Sequence, residues 1–152
     1  MAFTDPTTPN LADFTTFVYS QGVPQADLPA DSDYLVWSFD IAKARTLVAP
    51  FSLPPILYVM AVYNLGMHTL VGLGQDLEGQ TFFTTAREKF KFGSFAAGPV
   101  VSTGDNGSQT TLLAPEFLKN LTLQDLELLK TPWGRYYLAY AQQAGSTAFG
   151  VS

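Results

Sequence analysis

The sequence has no cysteine and only one histidine, and both features limit the chemistry that the protein can perform. Without cysteine there is no disulfide framework, no thiolate nucleophile and no sulfur ligand for zinc. Cations are also scarce, because 8 Lys and Arg stand against 13 Asp and Glu and give a formal net charge of -5. Proteins that grip nucleic acid carry the opposite excess, so a nucleic-acid-binding surface is not expected.

The charges that are present are unevenly distributed along the chain. Six aspartates precede Lys43, whereas no other Lys or Arg does. Cations then gather in "AREKFKF", where Arg87, Lys89 and Lys91 surround Glu88. Such asymmetry is usually a solvated face. The alternative is a head-to-tail assembly in which the acidic face of one copy meets the basic face of the next.

Length and apolar content predict one folded domain over 1–152. The chain is 47% hydrophobic and 14% aromatic, which suffices for a single core. The first ten residues lack a basic segment followed by an apolar run. No signal peptide is therefore expected, and the cytoplasm is the default location.

Two helices are predicted before the first proline cluster. Residues 1–30 are expected to form an N-terminal arm that includes a short helix, capped by Asn10 and stopped by Gly22. A second helix is predicted in "DSDYLVWSFDIAKARTLVA", where Asp31 or Ser32 is placed to cap it.

The most hydrophobic segment is "PPILYVMAVYNLGMHTLVGLG", and it predicts a third helix. Because it is apolar almost all round, it fits either a buried central helix or a membrane span. It contains Asn64, Gly66 and His68 and has no Lys or Arg at either end. We therefore expect the central core helix, packed against the helix before it.

The pattern changes after Gly79. The stretch "GQTFFTTAREKFKF" alternates only weakly between apolar and polar residues. Residues 93–115 predict a β-hairpin or long Gly-rich loop with Asp105, Asn106 and Gly107 at its tip. Together with the helices, this gives a fold that is mainly α, a small helical bundle with an inserted β-hairpin or long Gly-rich loop.

The stretch "TPWGRYYLAY" predicts the last helix. Thr131 caps it, Pro132 takes its first position, and it is expected to run to about Ala144, with 145–152 as a flexible tail. Its aromatic residues lie on one broad side and are Trp133, Tyr136, Tyr137 and Tyr140.

Two readings of that aromatic side stay open. In the first, it is a core face whose tyrosine hydroxyls reach the surface. In the second, it is surplus to the interior of one chain and is buried by a partner, because Trp, Tyr and Arg dominate interface hot spots. On the second reading, truncation after Lys130 leaves the helical core largely folded.

Catalytic and metal-binding patterns are thin. His68 lies inside the apolar third helix and is expected to be a satisfied core residue. No nucleophile elbow is present, and "GLGQDLEG" has the wrong glycine spacing for a phosphate-binding loop. A cation held by Asp76, Glu78 and Asp105 is a weak alternative. No enzymatic activity, cofactor or metal is therefore expected.

The order of four motifs resembles the bacteriophage head–tail connector, or neck adaptor, proteins. The matching stretches run from about residue 32 to 145 and are "LVWSFDIAKA", "AVYNLGMHTL", "GPVVSTGDNGSQ" and "TPWGRYYL". The resemblance implies a ring of twelve copies between the portal and the tail, or tail-terminator, protein. Such a ring lies in the neck of the virion, is assembled in the host cytoplasm, and passes DNA without binding it specifically or contacting a membrane.

The resemblance also implies roles for particular residues. Those expected to face the portal or another partner are Trp133, Arg135, Tyr136, Tyr137, Tyr140 and Phe149. Those expected in a loop that meets a neighbouring subunit or the tail are Asp105, Asn106, Gly107, Arg87, Lys89 and Lys91. An acidic channel wall is expected from the Asp-rich N-terminal face or from Asp105 and Glu116, since it repels phosphates.

The alternative function is a small helical ligand-binding protein or enzyme. It would use the cleft between the central helix and the Tyr-rich last helix.

Overall fold

The computed structural model describes residues 2–46, 49–92 and 123–144 and is mainly helical. The helices are α1 (Leu11–Ser20), α2 (Asp33–Arg45), a 3-10 turn (Pro50–Ser52), α3 (Pro55–Leu73), α4 (Phe82–Lys89), α5 (Leu123–Leu128) and α6 (Pro132–Ala144). Within these ranges no strand is found. The predicted hairpin or loop at 93–115, Glu116 and the predicted tail at 145–152 lie outside the described residues.

Helix α3 is the centre of the bundle, as its composition predicts. Pro55 occupies its first position, and its most extensive packing is against α2 and α6. By length and hydropathy it is apolar enough to cross a membrane, yet most of it is buried among the other helices. Gly72 lies within the helix and Gly74 follows as the C-cap, so the predicted stop is placed one residue after Leu73.

The segment before α2, from residue 2 to residue 30, packs on the helical bundle. Asn10 caps α1 by accepting from the Asp13 N–H at 2.9 Å, and its side-chain amide donates to the Asp13 carboxylate at 3.0 Å. Phe14 is fully buried and packs so tightly on α3 that a Cβ at Gly66 would lie 2.7 Å from its ring. The Asn10 N–H donates to the hydroxyl of Tyr63 on α3 at 3.1 Å. These contacts fix the N-terminal segment to the centre of the fold.

The weakly alternating stretch after Gly79 contains helix α4. Phe83 and Ala86, three residues apart, are buried on one side of it. Its C-terminus is closed by Lys91, whose φ of 59° is left-handed. The N–H of Phe92 donates to the carbonyl of Arg87 at 3.0 Å and that of Lys91 to the carbonyl of Glu88 at 3.2 Å. This is the Schellman pattern of a helix end.

Helices α5 and α6 approach each other closely because of a glycine. The Thr131 hydroxyl accepts from the Gly134 N–H at 2.9 Å and caps α6, as predicted. A Cβ at Gly134 would lie 2.8 Å from the carbonyl carbon of Leu128 and nearer still to its oxygen. Only glycine therefore fits at this position.

Candidate functional sites

The aromatic side of α6 is largely a core face. Trp133, Tyr137 and Leu138 are buried in the same cluster as α3, and Tyr140 is partly buried against it. Trp133 and Tyr137 are therefore buried mainly by their own chain, and their binding to a partner stays a prediction. The i, i+4 spacing of these two residues directs both toward α3, since neighbours at that spacing share one side of a helix.

Tyr136 and Arg135 point away from that core. Tyr136 is 57% exposed, and Arg135 is exposed and donates to the Leu129 carbonyl at 2.7 Å. Among the residues of α6 that were predicted to bind a partner, these two are exposed and Tyr140 is half-buried. Phe149 lies outside the described residues.

His68 joins α3 to the start of α6. Its Nδ1 lies 2.7 Å from the Thr131 hydroxyl oxygen, and its ring packs on Phe92 with centroids 5.4 Å apart. Burial lowers the pKa of His68 to about 4, with the charges of Arg45 and Lys130 acting in the same direction. The ring is therefore neutral near pH 7, and its Nδ1 can accept a hydrogen bond from the Thr131 hydroxyl. This matches a satisfied core histidine.

The three cations of "AREKFKF" have different environments. Arg87 is half-buried and donates from one guanidinium nitrogen to the carbonyl of Val71 at 3.2 Å and to that of Gly74. Arg87 thus lies in helix α4 and not in a loop, and it binds carbonyls at the C-terminal end of α3. Lys89 and Lys91 are exposed. Asp105, Asn106 and Gly107, predicted at the same contact, lie outside the described residues.

Two aspartates, Asp27 and Asp76, accept hydrogen bonds from backbone N–H groups at and before the start of α4. Asp27 is 1% exposed and accepts from the N–H groups of Leu77 at 2.8 Å and Phe82 at 3.2 Å. Asp76 accepts from the N–H of Phe83 at 2.7 Å and from the N–H and hydroxyl of Thr84 at 2.9 and 2.6 Å. These bonds satisfy donors that a helix start leaves open.

The two carboxyls lie close enough for each to shift the pKa of the other. Burial raises the pKa of Asp27, and its hydrogen bond to Asp76 raises it further. Burial also acts to raise the pKa of Asp76, but the hydrogen bonds from Asp27 and Thr84 outweigh it and leave the pKa lowered. In the described part of the chain, no group of three potential metal ligands comes together. The oxygens of Asp76 are occupied by protein donors, so the cation site with Glu78 finds no support.

Helix α2 has apolar side chains on two sides. Its inner side buries Leu35, Phe39 and Ala42. Its solvent side exposes three further apolar residues, Val36, Trp37 and Ile41, which we call the outer face of α2. Trp37 is 52% exposed, and Tyr34 packs edge-on against it at a centroid distance of 5.6 Å.

A surface cavity of about 550 Å³ lies beside the N-terminal end of α6. Its walls come from the segment after α1, from α4 and from the first turn of α6, and they include Gln21, Phe82, Thr85, Lys89, Phe90 and Trp133. The cleft expected between the central and last helices is instead filled, because α3 and α6 pack directly on each other.

Comparisons with protein-family models, curated proteins and solved structures find no match for this chain.

Proposed function

We propose that this chain is a structural subunit of a ring, a bacteriophage head–tail connector that joins portal to tail and passes DNA. The observation that carries the proposal is the outer face of α2. Tryptophan is among the residues most enriched at interface hot spots, and a rigid helix presents it at low entropic cost. Because the inner side of α2 is already anchored in the core, its outer face is available to another chain.

The motifs behind the resemblance support this choice of surface. His68 of "AVYNLGMHTL" bonds to Thr131 of "TPWGRYYL", so these two motifs form one internal junction. Gly134 of the same motif is required by the approach to Leu128. Packing within one chain thus accounts for these residues. It does not account for Trp37 of "LVWSFDIAKA", which remains half-exposed.

The remaining predicted contacts are assigned more narrowly. On α6, Tyr136 and Arg135 are proposed to bind the portal. Lys89 and Lys91 are proposed to contact a neighbouring subunit or the tail. All four side chains are exposed.

The proposed acidic channel wall also narrows. Among the six N-terminal aspartates, Asp13 and Asp27 are buried and bonded to backbone N–H groups. Exposed carboxylates remain at Asp31, Asp33 and Asp40. These would repel DNA phosphates if they face the channel. A strongly basic channel in the assembled ring would contradict this assignment.

The assembly is tested by light scattering during gel filtration and by negative-stain imaging. Wild-type protein is expected to form a ring at tens of micromolar concentration or on addition of the portal. Trp37→Glu is expected to remain monomeric with an unchanged circular dichroism spectrum, because a charge there opposes burial.

The matched control is Leu77→Glu, another half-exposed apolar residue, which lies in the segment between α3 and α4. It should assemble as wild type does. A wild-type protein that stays monomeric at every concentration and ignores the portal contradicts the proposal. If Trp37→Glu assembled as well as wild type, the outer face of α2 would not be the contact between subunits.

A further inference from the structure

The cavity beside α6 has an aromatic wall that is already ordered. The rings of Phe90 and Trp133 meet edge-on with centroids 5.6 Å apart. The Trp133 indole N–H donates to the side-chain oxygen of Gln21 at 3.0 Å, which fixes the ring plane. An ordered aromatic wall favours a flat apolar guest, because little side-chain freedom is lost when the guest binds.

The cavity has one charge among its described lining residues, the ammonium of Lys89. Lys89 Nζ lies over the ring of Phe90, 5.4 Å from its centroid. No described carboxylate pairs with it. The other lining groups are neutral amides and hydroxyls, among them Gln21 and Thr85.

The amide groups at the start of α4 are not available to an anion. Asp27 already accepts from Phe82, and Asp76 accepts from Phe83 and Thr84. An acidic group that enters the cavity therefore finds its charge partner at Lys89, at the other end of α4. The aromatic wall then receives the rest of the molecule.

We propose that this cavity binds a small planar aromatic anion. The aromatic ring lies against Trp133 and Phe90, and its carboxylate or sulfonate group pairs with Lys89. A volume of about 550 Å³ falls within the range of small-molecule sites. This site is separate from the outer face of α2, but it shares Lys89 with the proposed contact to a neighbouring subunit or the tail, so its binding is tested on the monomer.

The probe for the test is 8-anilinonaphthalene-1-sulfonate, with N-phenyl-1-naphthylamine as the neutral analogue. The chain has two tryptophans, so Trp37→Phe leaves Trp133 as the only indole reporter. In that background we expect saturable quenching of Trp133 emission by energy transfer to the sulfonate probe. Adding Lys89→Met should weaken the sulfonate about tenfold and leave the neutral analogue unchanged.

Two further variants locate the site. Thr85→Glu places a carboxylate in the cavity at an exposed position of α4, and it should abolish sulfonate binding while sparing the neutral analogue. Lys43→Met removes an exposed cation of α2 that is not among the described lining residues, and it should bind as the background does. Sulfonate affinity that is unchanged by Lys89→Met, or lost equally in Lys43→Met, overturns the proposal. So does an equal loss of the neutral analogue.

Discussion

At the scale of single residues, caps were predictable from sequence and close approaches were not. Asn10, Ser32 and Thr131 each accept an N–H in the first turn of a helix, as their type and position predict. Gly134 gave no comparable signal, because its role depends on where the carbonyl of Leu128 lies in three dimensions. The same holds for Gly66, which makes room for the ring of Phe14.

Gly134→Ala is expected to destabilise the protein by roughly 3 kcal/mol, because the added methyl meets backbone rather than a mobile side chain. Urea unfolding followed by circular dichroism measures the change. The control is Gly72→Ala inside α3, where a Cβ would lie 3.2 Å from the Phe92 ring, which can yield slightly. That variant should stay within about 1 kcal/mol of wild type. Wild-type stability in Gly134→Ala would show that α5 can move away.

At the scale of whole elements, apolar periodicity located α1, α2, α3 and α6 but did not orient α6. Aromatic residues at 133, 136, 137 and 140 fit more than one rotation of the helix about its axis. The structure selects the one that buries Trp133 and Tyr137 and exposes Tyr136. Helix α4 was missed because its start is fastened by Asp27 and Asp76, which lie outside it. The outer face of α2 also depends on three-dimensional packing, because it can be recognised only once the side of the helix that packs on the core is known.

Truncation after Lys130 is therefore expected to have the opposite outcome to the one predicted from sequence. It removes the buried side chains of α6 and the Thr131 partner of His68, so we expect loss of cooperative unfolding. Thermal circular dichroism measures this. Truncation after Ala144 is the matched control, since it keeps α6 entire and should retain the cooperative transition. A cooperative, helical 1–130 fragment would show that α6 is dispensable to the core.

At the scale of the whole molecule, buried ionisable groups divide the acid response into separate pH ranges. Burial would raise the pKa of Asp13, but hydrogen bonds from Thr4, Asp5 and Asn10 lower it to about 2. Its folded pKa lies below the usual value of 3.8, so its contribution is present above that pH and is lost as the pH falls toward 2. Asp76 acts in the same direction and Asp27 in the opposite one, because its pKa is raised. None of these groups accounts for a loss of stability that begins near pH 6.5.

His68 does account for such a loss. Its pKa falls from 6.5 to about 4 on folding, so its contribution is complete above pH 6.5 and declines as the pH drops toward 4. Full titration corresponds to roughly 3 kcal/mol.

The urea midpoint of wild type should therefore fall steadily over that range, with the junction between α3 and α6 weakened first. His68→Asn keeps a hydrogen-bonding atom for Thr131 but cannot ionise, and its midpoint should stay level until the carboxylates titrate. If the urea midpoints of the two proteins fell in parallel between pH 6.5 and 4, protonation of His68 would not destabilise the folded state. Burial and the charges of Arg45 and Lys130 would then not lower its pKa.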